Sequence, residues 1–258
     1  MILSWNSAYC LLPTGYYQLK MPEVTQEIQT TDVRRRPQPE EGPLTIIYED
    51  EWTLVVNKPA GVVVHPTYKN TSGTILNAVL WRVRDRPGAQ PGILTRLDKD
   101  TSGVVVIALM PDVHATMQKD AAAGRTTKHY LAVVVGSPEP RQGQIVLPLA
   151  RDAGDRRRVV VTPDGAPCET RYEVLSCHEG QSIVRCELVT GRTHQIRVHL
   201  AARGWPILGD RVYGTPDENV ARQALHAWRV SLLHPITRQP LEFEAPIPAD
   251  MRHLFEEV

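Results

Sequence analysis

The chain has 258 residues, enough for one large domain or two small ones, and 42% of them are apolar and 22% charged, ordinary values for a globular fold. No run of about 18 apolar residues occurs, so no stretch is expected to span a membrane. The opening Met1-Ile2-Leu3-Ser4-Trp5 lacks the basic flank and long apolar stretch of a secretory signal, and a cytoplasmic protein is expected. The 29 basic and 29 acidic residues cancel, which argues against a partner held by bulk positive charge, though not against a local basic face. From Arg82 to His129 eight Lys/Arg stand against five Asp/Glu, and from Arg185 to Arg238 eight against four, whereas Glu23 to Glu51 holds eight acids against three arginines.

Residues 1–43 read as an irregular arm rather than a separate domain. The stretch Arg34-Arg35-Arg36-Pro37-Gln38-Pro39-Glu40-Glu41-Gly42-Pro43 is charged and proline-rich with no apolar period, so exposed chain is expected up to Leu44. One catalytic domain is expected over 44–258. It begins with a hairpin, Leu44 to Tyr48 and Thr53 to Asn57 around the turn Glu49-Asp50-Glu51. A helix over Thr74 to Arg84 follows, with Ile75, Ala78 and Val79 on one stripe, and then a strand over Gly103 to Ala108. Pro111 suits a first helical position, and Val113, Met117 and Ala121 repeat every four residues behind it. Strands are predicted at Lys128 to Val135, Glu169 to Leu175 and Ser182 to Val189. A third helix follows over Thr193 to Arg203, then strands at Arg229 to Leu233 and Leu241 to Glu244. Many strands, few helices and no strict βαβ alternation predict an α+β fold built on a large, mainly antiparallel mixed sheet. Met117 and Trp228 read as core. Cys10, Cys168, Cys177 and Cys186 show no paired short spacing and read as buried free thiols.

The segment Thr95-Arg96-Leu97-Asp98-Lys99-Asp100-Thr101-Ser102-Gly103, leading straight into Val104-Val105-Val106-Ile107, carries the most chemistry. A charged loop that ends on glycine at an apolar strand can hold a carboxylate rigidly beside a cleft. Taken alone, an Arg-Leu-Asp triplet is ordinarily just a solvated loop. Arg156-Arg157-Arg158, between Gly154-Asp155 and the strand Val159 to Val161, reads equally as a solvated hairpin or as a basic one that meets an RNA backbone. His194 and His199, five apart, would sit on different faces of a helix and make a poor metal pair; no metal site is expected.

Company changes the reading of the triplet. Lys58-Pro59-Ala60-Gly61, Arg96-Leu97-Asp98 with Thr101-Ser102-Gly103, Lys128-His129-Tyr130-Leu131-Ala132, and Thr190-Gly191-Arg192-Thr193-His194-Gln195-Ile196-Arg197 occur in that order. They are followed by Gly209-Asp210, Tyr213-Gly214, Leu225-His226-Ala227-Trp228 and Ala245-Pro246-Ile247-Pro248. Over about Leu44 to Asp250 the chain resembles the RluA-type pseudouridine synthases. The resemblance implies that Asp98 is the essential carboxylate and that Tyr130 and Arg197 complete the catalytic set. Arg96, Thr101, Arg192, His194 and Gln195 are taken as RNA-binding. Thr95 stands where the family usually has histidine, and the small N-terminal RNA-binding domain of many relatives has no counterpart in residues 1–43.

The implied reaction detaches uracil from its ribose, turns it over and rejoins it through carbon. Nothing is oxidised and no group is carried, so no cofactor is expected. An ionised carboxylate at the anomeric carbon, as in glycoside cleavage, meets the chemical need. The target base must leave its stack to be reached. The implied partner is structured RNA, ribosomal or transfer, met by a monomer. A non-catalytic RNA-binding or RNA-folding factor on the same scaffold is the alternative, and a small-nucleoside glycosidase a third, with only Asp100 available as a second acid. A carboxylate taken from water needs an opposite charge within about 4–6 Å. Of the two arginines in the third motif, Arg197 one turn into the helix is expected to pair with Asp98, and Arg192 beside Gly191 to face phosphate.

Overall fold

The computed structural model describes residues 37–155, 157–214 and 216–256. Ten strands form one mixed sheet in the order β1 (Ile46–Glu49), β2 (Thr53–Lys58), β4 (Ser102–Ala108), β11 (Leu225–Leu233), β5 (Thr127–Val135), β10 (Gln181–Leu188), β9 (Glu169–His178) and β6 (Gln142–Val146). Two short additions complete it: β3 (Gly92–Ile93) pairs with β4, and β12 (Pro240–Glu244) with β11. Among these pairings only β4 with β11 is parallel. A separate hairpin joins β7 (Leu149–Arg151) to β8 (Val159–Val161). The helices of the described residues are α1 (Ile75–Arg82), α2 (Pro111–Ala122), α3 (Gln195–Ala202) and α4 (Ala249–Glu256). The α+β expectation holds.

Strand β4 is buried along its whole length, which explains its unbroken apolar run. Successive side chains point to opposite faces of the sheet. Val104 and Val106 enter one core with Val55, α2's Val113 and Met117, and β12's Phe243. Val105 and Ile107 enter another with Leu54, Val56 and α1's Ile75 and Val79. A third core lies over β5, β10 and β9, capped by Ile196 and Leu200 of α3 and Met251 and Leu254 of α4. Each fully buried aliphatic side chain contributes roughly 1.5–3 kcal/mol. The sheet thus carries cores on both faces at its centre, and that rigidity is available to the loops at its end.

Helix α1 starts where its caps dictate. Thr74 accepts a hydrogen bond from the Asn77 backbone, and the Asn77 side chain accepts one from Thr74 N–H, a capping box. Asn77 also donates to Gln38 O at 2.7 Å and its carbonyl accepts from Glu40 N at 3.1 Å. The chain is therefore tied to α1 before Leu44, where exposed arm was expected; residues 1–36, with Arg34 to Arg36 and Cys10, lie outside the described residues. Pro111 is the first residue of α2, as expected. Cys168 and Cys186 are buried free thiols, but Cys177 is exposed, because it lies near the solvent end of β9. Met117 is core, whereas Trp228 is only half-buried, with the Arg229 guanidinium 4.2 Å over its ring.

Candidate active site

The loop 94–101 crosses the edge of the parallel pair and is held from three directions. Lys58, fully buried at the end of β2, donates its ammonium to Pro59 O, Val62 O and Lys99 O at 2.7–2.8 Å. Burial pulls its pKa down to about 8, against the pull of the Asp100 and Asp98 charges. On the other side Arg222 donates to Asp100 O at 3.0 Å and to Ser102 Oγ at 3.2 Å, and grips Asp250 of α4 through Nε and Nη2. Two cations thus take the carbonyls of consecutive residues, 99 and 100, which fixes the turn that presents Asp98. Thr101 N–H closes that turn onto Asp98 O at 3.2 Å.

Behind the turn, Gly103 has φ +118° and no room: a Cβ there would lie 2.1 Å from Ala227 O. No other residue fits where β4 and β11 approach. Ser102 and His226 seal the same junction. The His226 Nε2–H donates to Ala245 O at 3.1 Å, which leaves Nδ1 to accept from the Ser102 hydroxyl at 2.9 Å. Thr95 is also structural: its hydroxyl accepts from Val106 N–H at 2.9 Å and completes the edge of β4 just beyond β3.

The expected pairing is present. Arg197 donates through Nη1 to Asp98 Oδ2 at 2.9 Å. It also makes a two-point contact with Asp210, Nε to Oδ2 at 2.7 Å and Nη2 to Oδ1 at 2.9 Å. Burial works against the arginine's charge, but hydrogen bonding to Asp210 and the charges of both carboxylates hold its pKa above the usual value. Burial would raise Asp210, yet Arg197 and the N–H groups of Val212 and Tyr213 keep its carboxyl below the usual range. One arginine therefore serves two carboxylates. Asp210 is saturated and 1% exposed, while Asp98 is 24% exposed and its Oδ1 has no hydrogen-bond partner among the described residues.

Asp98 faces a hollow of about 50 Å³ lined also by Arg96, Thr101, Tyr130 and Arg192. The same Arg96, Asp98, Tyr130 and Arg192 border a groove of about 520 Å³ that continues past His65 and Lys128. Tyr130 is buried on β5, and burial, then the charge of Asp98, raise its phenol pKa, so it stays protonated and offers a donor rather than a base. Arg96 and Arg192 are exposed at the rim. His194 Nε2 lies 3.8 Å from Asp98 Oδ2.

Two residues taken as RNA-binding are turned inward behind the hollow. Gln195 is buried, donates to Glu169 O and Thr170 Oγ1, and accepts from Thr190 and Arg192, so no donor or acceptor remains for a ligand. Thr101 is buried against Gln223 and shapes the hollow from behind. His199 is structural: burial lowers its pKa, and it bonds to Thr170 and Leu147 O. Arg157 is exposed on the β7–β8 turn and paired with Asp155; Arg156 lies outside the described residues.

Three residues of the site carried no assigned role: Lys58, Asp210 and Lys128. All three stood in quoted motifs, and an acid or lysine inside an apolar context was their only further signal. Lys128 lines the groove two residues before Tyr130, on the same side of β5, and burial lowers its pKa.

Residues 52–202 match the family described as RNA pseudouridylate synthase. The ribosomal large subunit pseudouridine synthase D of Zymomonas mobilis is 39% identical over 235 residues, 85% of this chain and 74% of the relative. The protein of that name from Nitrosomonas europaea is 40% identical over 231 residues, covering 86% and 67%. Among solved structures, human RNA pseudouridylate synthase domain containing 4 superposes with a TM-score of 0.67 at 25% identity, over 83% of this chain and 92% of that one. Matched in sequence over most of its length and in fold to enzymes of one reaction, the chain belongs to the RluA-type RNA pseudouridine synthases, isomerases that convert uridine in RNA to pseudouridine.

Proposed function

We propose that Asp98 is the catalytic carboxylate and that the substrate is a uridine of large-subunit ribosomal RNA, met by residues 44–258 as one catalytic domain. The observation that supports this most is the unequal sharing of Arg197. Asp210 takes its fork, and Asp98 keeps one oxygen free toward the hollow. In the reaction the N1–C1′ bond breaks and a C5–C1′ bond forms, while C5 loses a proton and N1 gains one, so the composition of the nucleotide is unchanged. A carboxylate beside C1′ can stabilise or bond to the sugar while the base turns. Tyr130, kept protonated, packs against the base and donates a hydrogen bond. Arg96 and Arg192 at the rim hold the displaced strand by its phosphates. Arg197 holds Asp98 in place. The ribosomal substrate rests on the names of two relatives. A monomer working in the cytoplasm completes the reading.

The test has two parts. Pseudouridine mapped in ribosomal and transfer RNA from cells with and without the gene should differ at a large-subunit position, and a difference confined to transfer RNA would reassign the substrate. Purified Asp98→Asn should fold and bind RNA yet lose turnover by about a thousandfold or more, as nucleophile removals do. Near-normal turnover in that variant would remove Asp98 from the chemistry.

A further inference from the structure

We propose that His194 is a positioning residue for Asp98, held in one tautomer by Tyr213, and that the β7–β8 hairpin sets this arrangement; the inference rests on the assignment of Asp98 above. His194 is not placed as a surface contact. It precedes α3 with φ 55° and ψ 16°, a left-handed conformation uncommon outside glycine, and such conformations persist where surrounding structure over-determines them. That conformation turns the ring into the site, where its side chain is 18% exposed.

The ring's two nitrogens have different neighbours. Nδ1 lies 2.7 Å from the Tyr213 hydroxyl and Nε2 lies 3.8 Å from Asp98 Oδ2. Tyr213 settles the proton. Its oxygen already accepts from Val159 N–H of β8 at 2.8 Å, and no other acceptor for its own hydrogen lies within bonding distance among the described residues. The assignment that gives the Tyr213 hydrogen an acceptor has the hydroxyl donating to Nδ1, which leaves the imidazole hydrogen on Nε2, pointed toward Asp98 at 3.8 Å. The opposite tautomer would aim a lone pair at the Asp98 carboxylate. Both neighbours therefore select the same form. Burial lowers the His194 pKa, with Arg197 adding to this against the pull of Asp98, which agrees with a neutral ring.

The chain of contacts runs outward as well. Val159 belongs to the hairpin that packs on α3 through Val198, and Arg158 of the same hairpin lies 5.5 Å over the Tyr213 ring. Arg157 and Arg158 of this hairpin are exposed. A shift of β8 moves the Val159 N–H, the Tyr213 hydroxyl with it, and then the donor presented to Asp98. The hairpin thereby ties the exposed surface to the orientation of the carboxylate through Tyr213, whose ring also lies 5.1 Å under the Arg197 guanidinium.

Nitrogen-15 spectra of the histidine rings in the intact chain, with His194 identified by its loss in His194→Gln, should show the Nε2–H tautomer at neutral pH. Tyr213→Phe should turn that signal into a mixture and lower kcat on ribosomal RNA from cells lacking the gene by about tenfold, the worth of one hydrogen bond to a charged group. KM should stay within about twofold, since a positioning effect acts on chemistry and not on RNA affinity. His194→Gln, which keeps a donor near Nε2, should retain more kcat than His194→Ala. An Nδ1–H ring in the unaltered chain, an unchanged kcat in Tyr213→Phe, or a loss confined to KM would each overturn the proposal. Should Tyr213→Phe fail to fold, the tautomer of the unaltered chain and the Gln/Ala contrast decide. If Asp98→Asn proves active the role of Asp98 fails, while the tautomer result still reads the hydrogen-bond chain.

Discussion

Two ion clusters in this molecule use the same chemistry with the counts reversed. On α2, buried Asp120 accepts from Arg125 and from Arg238, both nearly half exposed, so one carboxylate is shared by two arginines. In the cleft, buried Arg197 is shared by Asp98 and Asp210. The first cluster is over-supplied with positive charge, and its arginines reach water. The second is over-supplied with negative charge, and the surplus is a carboxylate oxygen facing a cavity. The first cluster sends its surplus to solvent; the second leaves its surplus facing the hollow, as the role proposed for Asp98 requires.

The contrast can be broken most decisively at Arg197. Arg197→Met strands two carboxylates, one of them 1% exposed, and breaking a buried pair of this kind costs about 3–5 kcal/mol. Urea unfolding should show it, with turnover lost alongside. If the variant unfolds at the denaturant concentration of the unaltered protein, the cleft cluster holds nothing together.

Asp120→Asn should cost less, about 1–3 kcal/mol, because both stranded arginines can turn to solvent. A penalty larger than that of Arg197→Met would reverse the comparison. The pH dependence sharpens it. Hydrogen bonds from Arg238, opposed by burial and joined by Arg125, lower the Asp120 pKa to about 2. A depressed carboxylate contributes stability above its unfolded value of about 3.9 and loses it as pH falls toward the folded value. The stability gap between Asp120→Asn and the unaltered chain should therefore be full at pH 6 and close as pH falls from about 4 to 2. A gap unchanged by acid would mean that Asp120 contributes by shape and not by charge.

The smallest expected effect concerns Lys128, which lines the groove with no ion pair among the described residues. Lys128→Gln should weaken RNA binding a fewfold and lower the slope of log affinity against log salt by about one, the signature of a single lost phosphate contact. An unchanged slope would place Lys128 outside the RNA path.

Much of this site was legible before any coordinates, and the reasons differ by residue. Asp98 stands out only through the family resemblance, and Arg197 because a carboxylate taken from water needs a partner and only one arginine of the third motif sits inside a helix. Asp210 does not, since nothing local shows that the fork of Arg197 is taken up thirteen residues further on. Polarity in a motif does not separate Gln195 and Thr101 from the exposed Arg192, because burial, which sequence does not display, turns both inward. Among the elements, β6 escaped because Gln142-Gly143-Gln144 is polar and exposed at the sheet edge, without alternation. Strand β11 begins four residues earlier than expected, as a bulge between Ala227 and Arg229 interrupts its period. Helix α4 offers only Met251, Leu254 and Phe255 to a period-of-four reading, too few to stand out.

The parallel contact of β4 with β11 has a further consequence, for the order in which the molecule assembles. Ser102 and His226, which seal that contact, are 124 residues apart in sequence. The other partners of β4 lie less far away along the chain: β2 residues pair with it across 45–55 positions and β3 residues across 14–16. Contacts of such long separation carry the largest loop-closure entropy and are expected to form late. The carboxylate's loop, braced by Arg222 and by the glycine pressed against Ala227, is therefore finished only when the last quarter of the polypeptide has been added. During synthesis the first half of the sheet can settle around its hairpins while the enzyme is still inert. Activity arrives with the closing strand, so a truncated or stalled product is expected to be folded in part and silent in full.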